Sequence, residues 1–405
     1  MTRLTGHAAR SCRADLPRRS QTKAGGGQRR TTLPPTLHAS PSEHGIALII
    51  VLISIFVLSM LAGGFAIAMK TETKLARNAN SETELEWLGR SGVQYARWIL
   101  AQQLNIREEN YDALNQVWAG GAGGFATSNS PLADVQREVH LGNGSFTWKI
   151  TDLERKFNIN LALNHEEVLR QACQVVGVDA GEADTIVGSI IDWIDKDNDT
   201  HIAGAETDYY QTLNPPYEAK NGFIDDLSEL LLIRGITPEM YWGSSSTNHP
   251  SSAFQQRLNP FGDQLAPPSY PSGFVDLFTA ISGGTRDGKM LNVNTASAEV
   301  LQLILGGDAR LAQAIVAGRQ GEDDGSGDFG PYKNLQDLIR KVPEIPRTGP
   351  VFEAFNATFS RYAGFSSRTF EVQIDAQISG YRRQFIAILG RNNQRDIQIL
   401  NFYWK

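Results

Sequence analysis

The sequence predicts an α+β protein, in which a long N-terminal transmembrane and amphipathic helix packs on a small antiparallel sheet and a large all-α domain is inserted. Three observations predict this class. The run Gly45–Met69 has 25 residues without a charge and continues without proline into an amphipathic stretch. Segments near residues 138–151 and 369–404 alternate apolar and polar side chains, as strands do. Between them, apolar residues recur at helical spacing.

The uncharged run is long enough to cross a membrane, since a bilayer core of about 30 Å needs about 20 apolar residues in a helix. Residues 1–45 ahead of it carry eight Lys or Arg and two acids. A basic flank stays in the cytoplasm, so we expect the C-terminal part of the chain on the far side of the membrane. Apolar positions keep helical spacing as far as Leu100, which predicts one helix that continues beyond the span.

Charge is divided unevenly along the chain. The formal net charge is −6 and the basic head contributes +6, so the remainder carries about −12. A body this acidic repels polyphosphate, which disfavours nucleic acid as a partner. Clustered carboxylates favour a divalent cation instead. The sequence contains no Gly-x-Ser-x-Gly, Walker or HExxH pattern, so it gives no sign of an enzyme.

Five strands are predicted. The first two flank a Gly-Asn-Gly sequence, which favours a tight hairpin, and breaks at Ser-Gly and Arg-Asn-Asn separate the last three. In chain order the strands are Glu138–Leu141, Ser145–Thr151, Thr369–Ile378, Gln384–Leu389 and Ile397–Trp404. Because the two groups enclose a helical middle, the simplest architecture is one α/β body interrupted by an insertion.

The helical middle contains a weak internal repeat. Asn158-Ile159-Asn160 parallels Asn292-Val293-Asn294, and an apolar-periodic helix and an Ala-rich helix follow each motif. The arrangement resembles helix-hairpin-helix DNA-binding modules, which raises the alternative of a membrane-anchored, DNA-binding competence protein. The turns between the paired helices carry Asp179 and Asp308 and no basic cluster, so no nucleic acid is expected there.

The densest group of acids follows an apolar helix. The EF-hand ligand positions 1, 3, 5 and 12 are occupied by Asp195, Asp197, Asp199 and Glu206. Ile202 takes the apolar position 8, but position 6 is Thr200 rather than Gly, and no exiting helix is predicted after the loop. We therefore predict an EF-like calcium loop of different geometry. The alternatives are a solvated acidic loop and a zinc site at His201, which the lack of a nearby Cys or second His disfavours.

The start of the uncharged run resembles the type IV pilin and pseudopilin class, in which a basic leader and a Gly precede an uninterrupted helix. The resemblance implies that a prepilin peptidase cuts after Gly45 and methylates the new amine of Ile46. Most members carry Glu at the fifth mature position, where this chain has Ile50. A subunit without this Glu suits the tip of a filament, and in this class the minor pseudopilin K of type II secretion lacks it.

The acidic segment carries a more specific resemblance to pseudopilin K. The motifs that recur in the same order in that family are Asp192-Trp193-Ile194-Asp195, Tyr209-Tyr210, Pro215-Pro216-Tyr217, Asn221 and Arg234-Gly235-Ile236. The resemblance implies a pseudopilin fold with a SAM-like inserted helical domain that binds calcium. It implies calcium-binding roles for Asp195, Asp197, Asp199, Glu206 and Asp208.

The resemblance also implies a role and partners. It predicts a structural minor pseudopilin that is a single-pass inner-membrane protein and later caps the pseudopilus tip, priming its assembly for protein secretion. The expected partners are the minor pseudopilins I and J and the prepilin peptidase, and a minor pilin of a type IV pilus is a second alternative. The predicted divisions are a cleaved leader, a transmembrane segment, a first body part, the inserted domain and C-terminal strands, at 1–45, 46–69, 70–157, 158–362 and 363–405.

Overall fold

The structure, a computed structural model, describes residues 44–243, 270–286, 288–321 and 330–405. All but the last two residues of the predicted leader, 1–45, lie outside the described residues. The chain divides into two compact units, one that ends at Glu72 and one that spans Thr73–Lys405.

Helix α1 spans His44–Gln103, so the long helix predicted from the apolar run is confirmed. It forms because no proline interrupts the apolar and then amphipathic sequence. Residues 46–69 are exposed along its first part. Among the described residues, α1 is the helix that is long and apolar enough to cross a membrane, which is consistent with membrane anchoring.

The strands are short in the middle of the chain and long near its C-terminus. They span Glu138–Leu141 (β1), Gly144–Asp152 (β2), Phe157–Asn158 (β3), Phe278–Thr279 (β4), Leu291–Asn292 (β5), Ala363–Gly364 (β6), Thr369–Ile378 (β7), Tyr381–Arg391 (β8) and Ile397–Trp404 (β9). A five-stranded antiparallel sheet has the order β1-β2-β7-β8-β9, so the five predicted strands are confirmed. Strand β8 is longer than predicted because the β7–β8 turn takes only Ser379 and Gly380, whose φ angles of +48° and +86° suit a tight hairpin.

One face of α1 packs on this sheet. Its buried residues are Leu85, Leu88, Val93, Ala96, Ile99 and Leu100, and they share a core with Phe146, Trp148, Phe370, Val372, Ile374 and Phe385. The helix approaches closely because two positions on this face are glycines. A Cβ atom at Gly89 would lie 2.4 Å from the ring of Phe385, and one at Gly92 would lie 2.7 Å from Ile374. The glycines therefore set the distance between helix and sheet.

The remaining helices build the middle of the chain. They span Phe125–Ser128 (α2), Glu166–Val176 (α3), Ala180–Ile194 (α4), Thr207–Tyr210 (α5), Pro238–Trp242 (α6), Phe274–Leu277 (α7), Ala298–Ile304 (α8), Ala309–Gln320 (α9), Leu335–Lys341 (α10) and Pro350–Tyr362 (α11). Short 3₁₀ helices cover Arg107–Glu109, Val117–Ala119, Pro131–Asp134, Ile159–Asn164 and Leu227–Leu232. Their apolar faces form one core that reaches from Phe157 to Ala363.

Both copies of the internal repeat begin with the same construction. The side chain of Asn158 accepts from the main-chain N–H of Asn160 at 3.0 Å, and β3 pairs in parallel with β4. In the second copy, Asn292 accepts from the N–H of Asn294 at 3.0 Å, and β5 pairs in parallel with β6. The helix pairs α3–α4 and α8–α9 follow these two starts.

The side chain of the second Asn of each motif both accepts from and donates to the main chain of one residue in a later segment. Asn160 accepts from the N–H of Ile224 at 2.7 Å and donates to its carbonyl at 2.9 Å. Asn294 accepts from the N–H of Tyr332 and donates to its carbonyl, both at 2.8 Å. The repeated motif therefore encodes a repeated connection between each helix pair and the short helical segment that follows it.

A buried polar network joins the sheet to the second repeat. Asp112 accepts from the guanidinium of Arg391 at 2.5 Å and from the N–H of Ser367 at 2.7 Å. Asn292 donates to Ser367 at 2.7 Å and to Asp152 at 3.1 Å. These side chains are almost fully buried. Hydrogen bonds between distant parts of the chain therefore fix the helical residues against the ends of β2, β7 and β8.

Candidate metal centre

The acidic loop connects two helices. Helix α4 ends at Ile194, the loop begins at Asp195, and Glu206 caps the start of α5 by accepting from the N–H of Thr207 at 3.3 Å. The sequence folds this way locally because apolar periodicity stops at Ile194 and a run of acids and loop formers follows. Both ends of the loop therefore bring carboxylates to helix termini.

The loop lies directly on α4 because both surfaces carry glycine. A Cβ atom on Gly188 would lie 2.9 Å from the carbonyl oxygen of Ile202. One on Gly204 would lie 2.1 Å from the carboxylate of Asp192. Any larger side chain at either position would separate the loop from the helix, so the two glycines bring the acids of both segments together.

Two overlapping groups of ligand atoms result. In the first, one atom each of Asp192, Asp195 and His201 lie within 4.8 Å of one another. In the second, one carboxylate oxygen each of Asp195, Asp197 and Glu206 do so. Two ligands at about 2.4 Å from one ion are at most about 4.8 Å apart. Each group is therefore compact enough to bind a single cation.

Several oxygens in and beside this centre are buried without a hydrogen-bond partner. They are Asp192 Oδ2, Asp195 Oδ1, Glu206 Oε1 and Asn221 Oδ1. Asn221 contacts the loop, since its Nδ2 donates to the carbonyl of Asp197 at 2.8 Å. An unpaired buried polar atom costs about 1–3 kcal/mol, and more if it is charged. A cation bound to the carboxylate oxygens among them would remove that cost.

The carboxylates also repel one another. Burial, followed by the charges of Asp197 and Asp192, raises the pKa of Asp195. Burial, followed by the charge of Asp192, raises the pKa of Glu206 to about 7. A bound divalent cation lowers the pKa of its carboxylate ligands, because it stabilises their ionised form. A cation at the centre would therefore offset this repulsion.

Other contacts hold the loop without using the unpaired oxygens. Asp192 is fully buried, and its Oδ1 accepts from the N–H of His201 at 3.0 Å and lies 2.5 Å from His201 Nδ1. Arg234 donates to the carbonyl of Gly204 at 3.0 Å and stacks on the ring of Tyr209 at 4.6 Å. Both halves of the loop are thereby fixed, which orients the acids in advance of a ligand.

The structure brings together three of the five predicted ligands, Asp195, Asp197 and Glu206. Asp199 donates its main-chain N–H to Asp197 Oδ1 at 2.9 Å, and Asp208 is exposed in the first turn of α5; neither belongs to the two groups. The prediction that no helix follows the loop is wrong, because α5 begins at Thr207 and forms one turn.

Two residues escaped the sequence prediction, Asp192 of the centre and Asn221 beside the loop. Both lie outside the twelve-residue window that defines the EF-like spacing. Asp192 precedes Asp195 by one helical turn, so its i, i+3 spacing was a usable signal. Asn221 reaches the loop only through tertiary packing, and no local signal points to it. At position 8 of the window, Ile202 is 95% exposed.

The donor set fits a hard divalent cation. Calcium takes six to eight oxygen ligands from carboxylates, amide and main-chain carbonyls and water. The residues that would hold the ion are Asp192, Asp195, Asp197 and Glu206, the carboxylates of the two groups. Zinc prefers Cys and His, and His201 is the only such side chain in the two groups found among the described residues.

The segment that carries this centre matches a known family. The family model described as type II secretion system (T2SS), protein K, matches residues 155–243. The chain is 27% identical over 210 residues to the protein K homologue of Escherichia coli K12, and 25% identical over 216 residues to type II secretion system protein K of Aeromonas hydrophila. Each alignment covers 49% of this chain, and 60% and 61% of the two relatives.

A longer alignment covers most of the chain. Type II secretion system protein K of Pseudomonas aeruginosa PAO1 is 23% identical over 371 residues, which are 88% of this chain and 92% of the relative. The fold is similar to a chain in the crystal structure of the GspK–GspI–GspJ complex from the type 2 secretion system of enterotoxigenic Escherichia coli. That likeness has a TM-score of 0.55 and 17% identity, and covers 82% of this chain and 99% of that one. These matches make the chain similar to type II secretion system protein K, through the family model over residues 155–243 and an alignment with the Pseudomonas aeruginosa protein over most of both chains.

Proposed function

We propose that the chain is a structural minor pseudopilin that caps the tip of the type II secretion pseudopilus and primes its assembly for protein export across the outer membrane. The observation that carries the proposal is the family match over residues 155–243, which coincides with the acidic loop and its helices. Ile50, in place of the Glu that most pilin-like subunits carry, supports a tip position. The role is structural and involves no catalysis.

The proposal includes a location. Residues 46–69 of α1 anchor the chain in the inner membrane, since they are apolar and exposed. The basic head places the N-terminus in the cytoplasm, so the C-terminal domain lies in the periplasm. A prepilin peptidase cuts after Gly45 and methylates Ile46, after which the subunit enters the pseudopilus.

N-terminal sequencing with mass spectrometry of the membrane-extracted protein tests this processing. We expect N-methylated Ile46 as the first residue. An intact head, or a cut after Ala66 or Ala68 as in an ordinary signal peptide, would overturn the assignment.

The partners in this proposal are minor pseudopilins of the I and J types. The support is that the similar solved structure is a complex of K, I and J subunits. Co-purification from mild detergent, with a tag on the full chain and both subunits co-produced, tests the partnership. Recovery of neither subunit would contradict it.

The helical residues between β2 and β7 form a SAM-like inserted domain in this proposal. The two similarly built helix pairs and their Asn motifs support it. The turn between α8 and α9 carries an acid, Asp308, which favours a structural role for these helix pairs over DNA binding. Asp308 accepts from the N–H of Leu311 at 2.9 Å, so it occupies the helix N-terminus at which a phosphate would otherwise bind.

The metal centre is a structural calcium site in this proposal, and the unpaired buried oxygens of Asp192, Asp195 and Glu206 support it. Bound calcium links α4, the loop and α5, so it stabilises the fold. We expect millimolar calcium to raise the melting temperature of the full chain in detergent. The combined substitutions Asp197→Ala and Asp199→Ala should abolish the rise. Identical melting with calcium and with chelator would contradict a calcium site.

A further inference from the structure

Strand β9 forms one edge of the five-stranded sheet. Within the described chain it pairs with β8 on one side only. The N–H of Lys405 donates to the carbonyl of Gln384 at 3.0 Å. Main-chain groups of successive strand residues point to opposite sides, so those of Phe402 and Trp404 point away from β8. The strand therefore presents donors and acceptors to an incoming chain.

The two edges of the sheet differ in how they are protected. The opposite edge, β1, has four residues and includes Glu138 and His140, and a short polar edge resists pairing. Strand β9 has eight residues without proline or charge. Leu400 and Trp404 are 57% and 63% exposed, while Ile397 is buried and Phe402 is half-buried. A long apolar edge of this kind is a docking site for another strand.

A β-bulge limits which part of β9 is available. The register between β8 and β9 shifts at Ile388 and Leu389, which leaves Leu400 as the extra residue. A bulge twists the strand and interrupts regular pairing. Regular backbone on the outer side therefore extends from Asn401 to Trp404.

A groove lies beside this stretch, between β9 and α1. Its volume is about 360 Å³, and it is lined by the rings of Phe385 and Phe402 and by the charged side chains of Glu82, Glu86, Arg90 and Arg383. Arg90 stacks on Phe402 at 5.2 Å, and Arg383 stacks on Trp404 at 4.7 Å. The groove has apolar surfaces with charged rims, so it suits one apolar side chain of a strand that adds to β9.

At the Trp404 end of the strand, Arg383 pairs with Glu82 at 2.9 Å, and Arg382 and Lys405 add two further cations. An incoming segment that is complementary to this end carries a carboxylate. A second copy of β9 has no acid between Ile397 and Lys405, so it matches this edge less well than a different chain does.

We propose that the neighbouring subunit of the assembly docks on β9 by adding an extended apolar segment, acidic at one end, as a sixth strand. One of its side chains fills the groove beside α1, and its main chain pairs with Asn401–Trp404. This inference rests on the proposed function, because the neighbouring subunit is a minor pseudopilin of the I or J type.

Co-purification with the full chain tests the site. The I- and J-type subunits are co-produced with tagged wild-type chain, Trp404→Lys or Tyr403→Lys, and the complexes are extracted in mild detergent. Lysine on the edge opposes strand addition, and truncating an exposed Trp anchor typically lowers affinity by about tenfold or more. The matched control is Leu141→Lys, which places lysine at a 51% exposed apolar position of the opposite edge.

We expect the two β9 variants to retain at least about tenfold less partner, and the control to behave as wild type. Equal melting temperatures show that the variants fold. Should they not fold, Asn401→Cys in a Cys12→Ser background, with a thiol-reactive photo-crosslinker, replaces them, and a crosslink to the partner is expected, since Cys173 is buried.

Three outcomes overturn the inference. Folded β9 variants that retain the partner as wild type does, or an Asn401→Cys chain that gives no crosslink, place the interface elsewhere. A wild-type homodimer that Trp404→Lys dissociates, measured by light scattering, identifies a second copy as the occupant. Wild-type chain that retains neither subunit contradicts the proposed function itself.

Discussion

Asp192 lies fully buried on the last turn of α4, and its Oδ2 has no hydrogen-bond partner. Asp192→Asn keeps the shape of the side chain and removes its charge. We expect isothermal titration calorimetry to show calcium affinity lower by about tenfold or more, because a charged ligand is lost. In chelator the variant should melt at the same or a higher temperature than wild type, since repulsion of Asp195 and Glu206 decreases.

The matched control is Asp208→Asn, which removes an exposed acid two residues after Glu206 that belongs to neither group of ligand atoms. It should bind calcium as wild type does. If Asp208→Asn lost calcium affinity and Asp192→Asn did not, Asp208 rather than Asp192 would be the calcium ligand, which would contradict the geometry.

Glu154 is a buried carboxylate that accepts from the N–H of Thr369 at 2.9 Å. Burial, followed by repulsion from Asp152, raises its pKa from 4.5 to about 8. Between pH 4.5 and about pH 8 the folded state therefore binds more protons than the unfolded chain. The free energy of unfolding consequently decreases as pH rises through this range. Calorimetry should show a steeper fall in melting temperature between about pH 5 and pH 8 for wild type than for Glu154→Gln. Parallel pH profiles would contradict the raised pKa.

At the scale of elements, the packing of α1 on the sheet depends on Gly89 and Gly92. Replacing Gly by Ala inside a helix is ordinarily stabilising by about 1 kcal/mol. At these two positions the new Cβ atom overlaps Phe385 or Ile374, so we expect a loss of about 1–3 kcal/mol in unfolding free energy. Gly181→Ala in α4 is the control, because nothing lies within 4 Å of its Cβ position. Urea denaturation measures all three.

The repeated Asn motif makes a second prediction about elements. Asn294→Ala removes two hydrogen bonds to the main chain of Tyr332, and Asn160→Ala removes two to Ile224 and a longer one to the carbonyl of Ala280 at 3.2 Å. Asn294 is fully buried and Asn160 is half-buried, so we expect a loss of about 2–3 kcal/mol at Asn294 and less at Asn160. Exposed Asn164→Ala should have no effect. Equal losses of unfolding free energy in all three variants would contradict the role of the Asn motif in holding the later segments.

At the scale of the whole molecule, the unit Thr73–Lys405 contains both apolar cores. We expect a chain that begins at residue 73 to fold without detergent and to show a calcium-dependent melting temperature. The reason is that the cores and the metal centre use no residue before Leu85. Circular dichroism and a thermal melt check this, and an unfolded spectrum would contradict it.

Much of the fold can be predicted from the sequence because local residue patterns specify it. The apolar run predicts α1, and alternation bounded by turn residues predicts all five strands of the sheet. The acid spacing predicts Asp195, Asp197 and Glu206. Asp192 was missed because it lies outside the twelve-residue window, although its i, i+3 spacing from Asp195 was a local signal. The contact of Asn221 with the loop depends on tertiary packing, about which the local sequence carries no information.

The sequence by itself determined the long helix, the positions of the strands and the existence of an acidic loop, since side-chain periods and turn residues specify local backbone. Only the tertiary structure decided which acids converge, and it did so through close approach at Gly188 and Gly204. It also decided the strand order, which pairs β2 with β7 and leaves β9 as an exposed edge. These features depend on long-range packing, where the burial of apolar surface selects among arrangements that the local sequence permits equally.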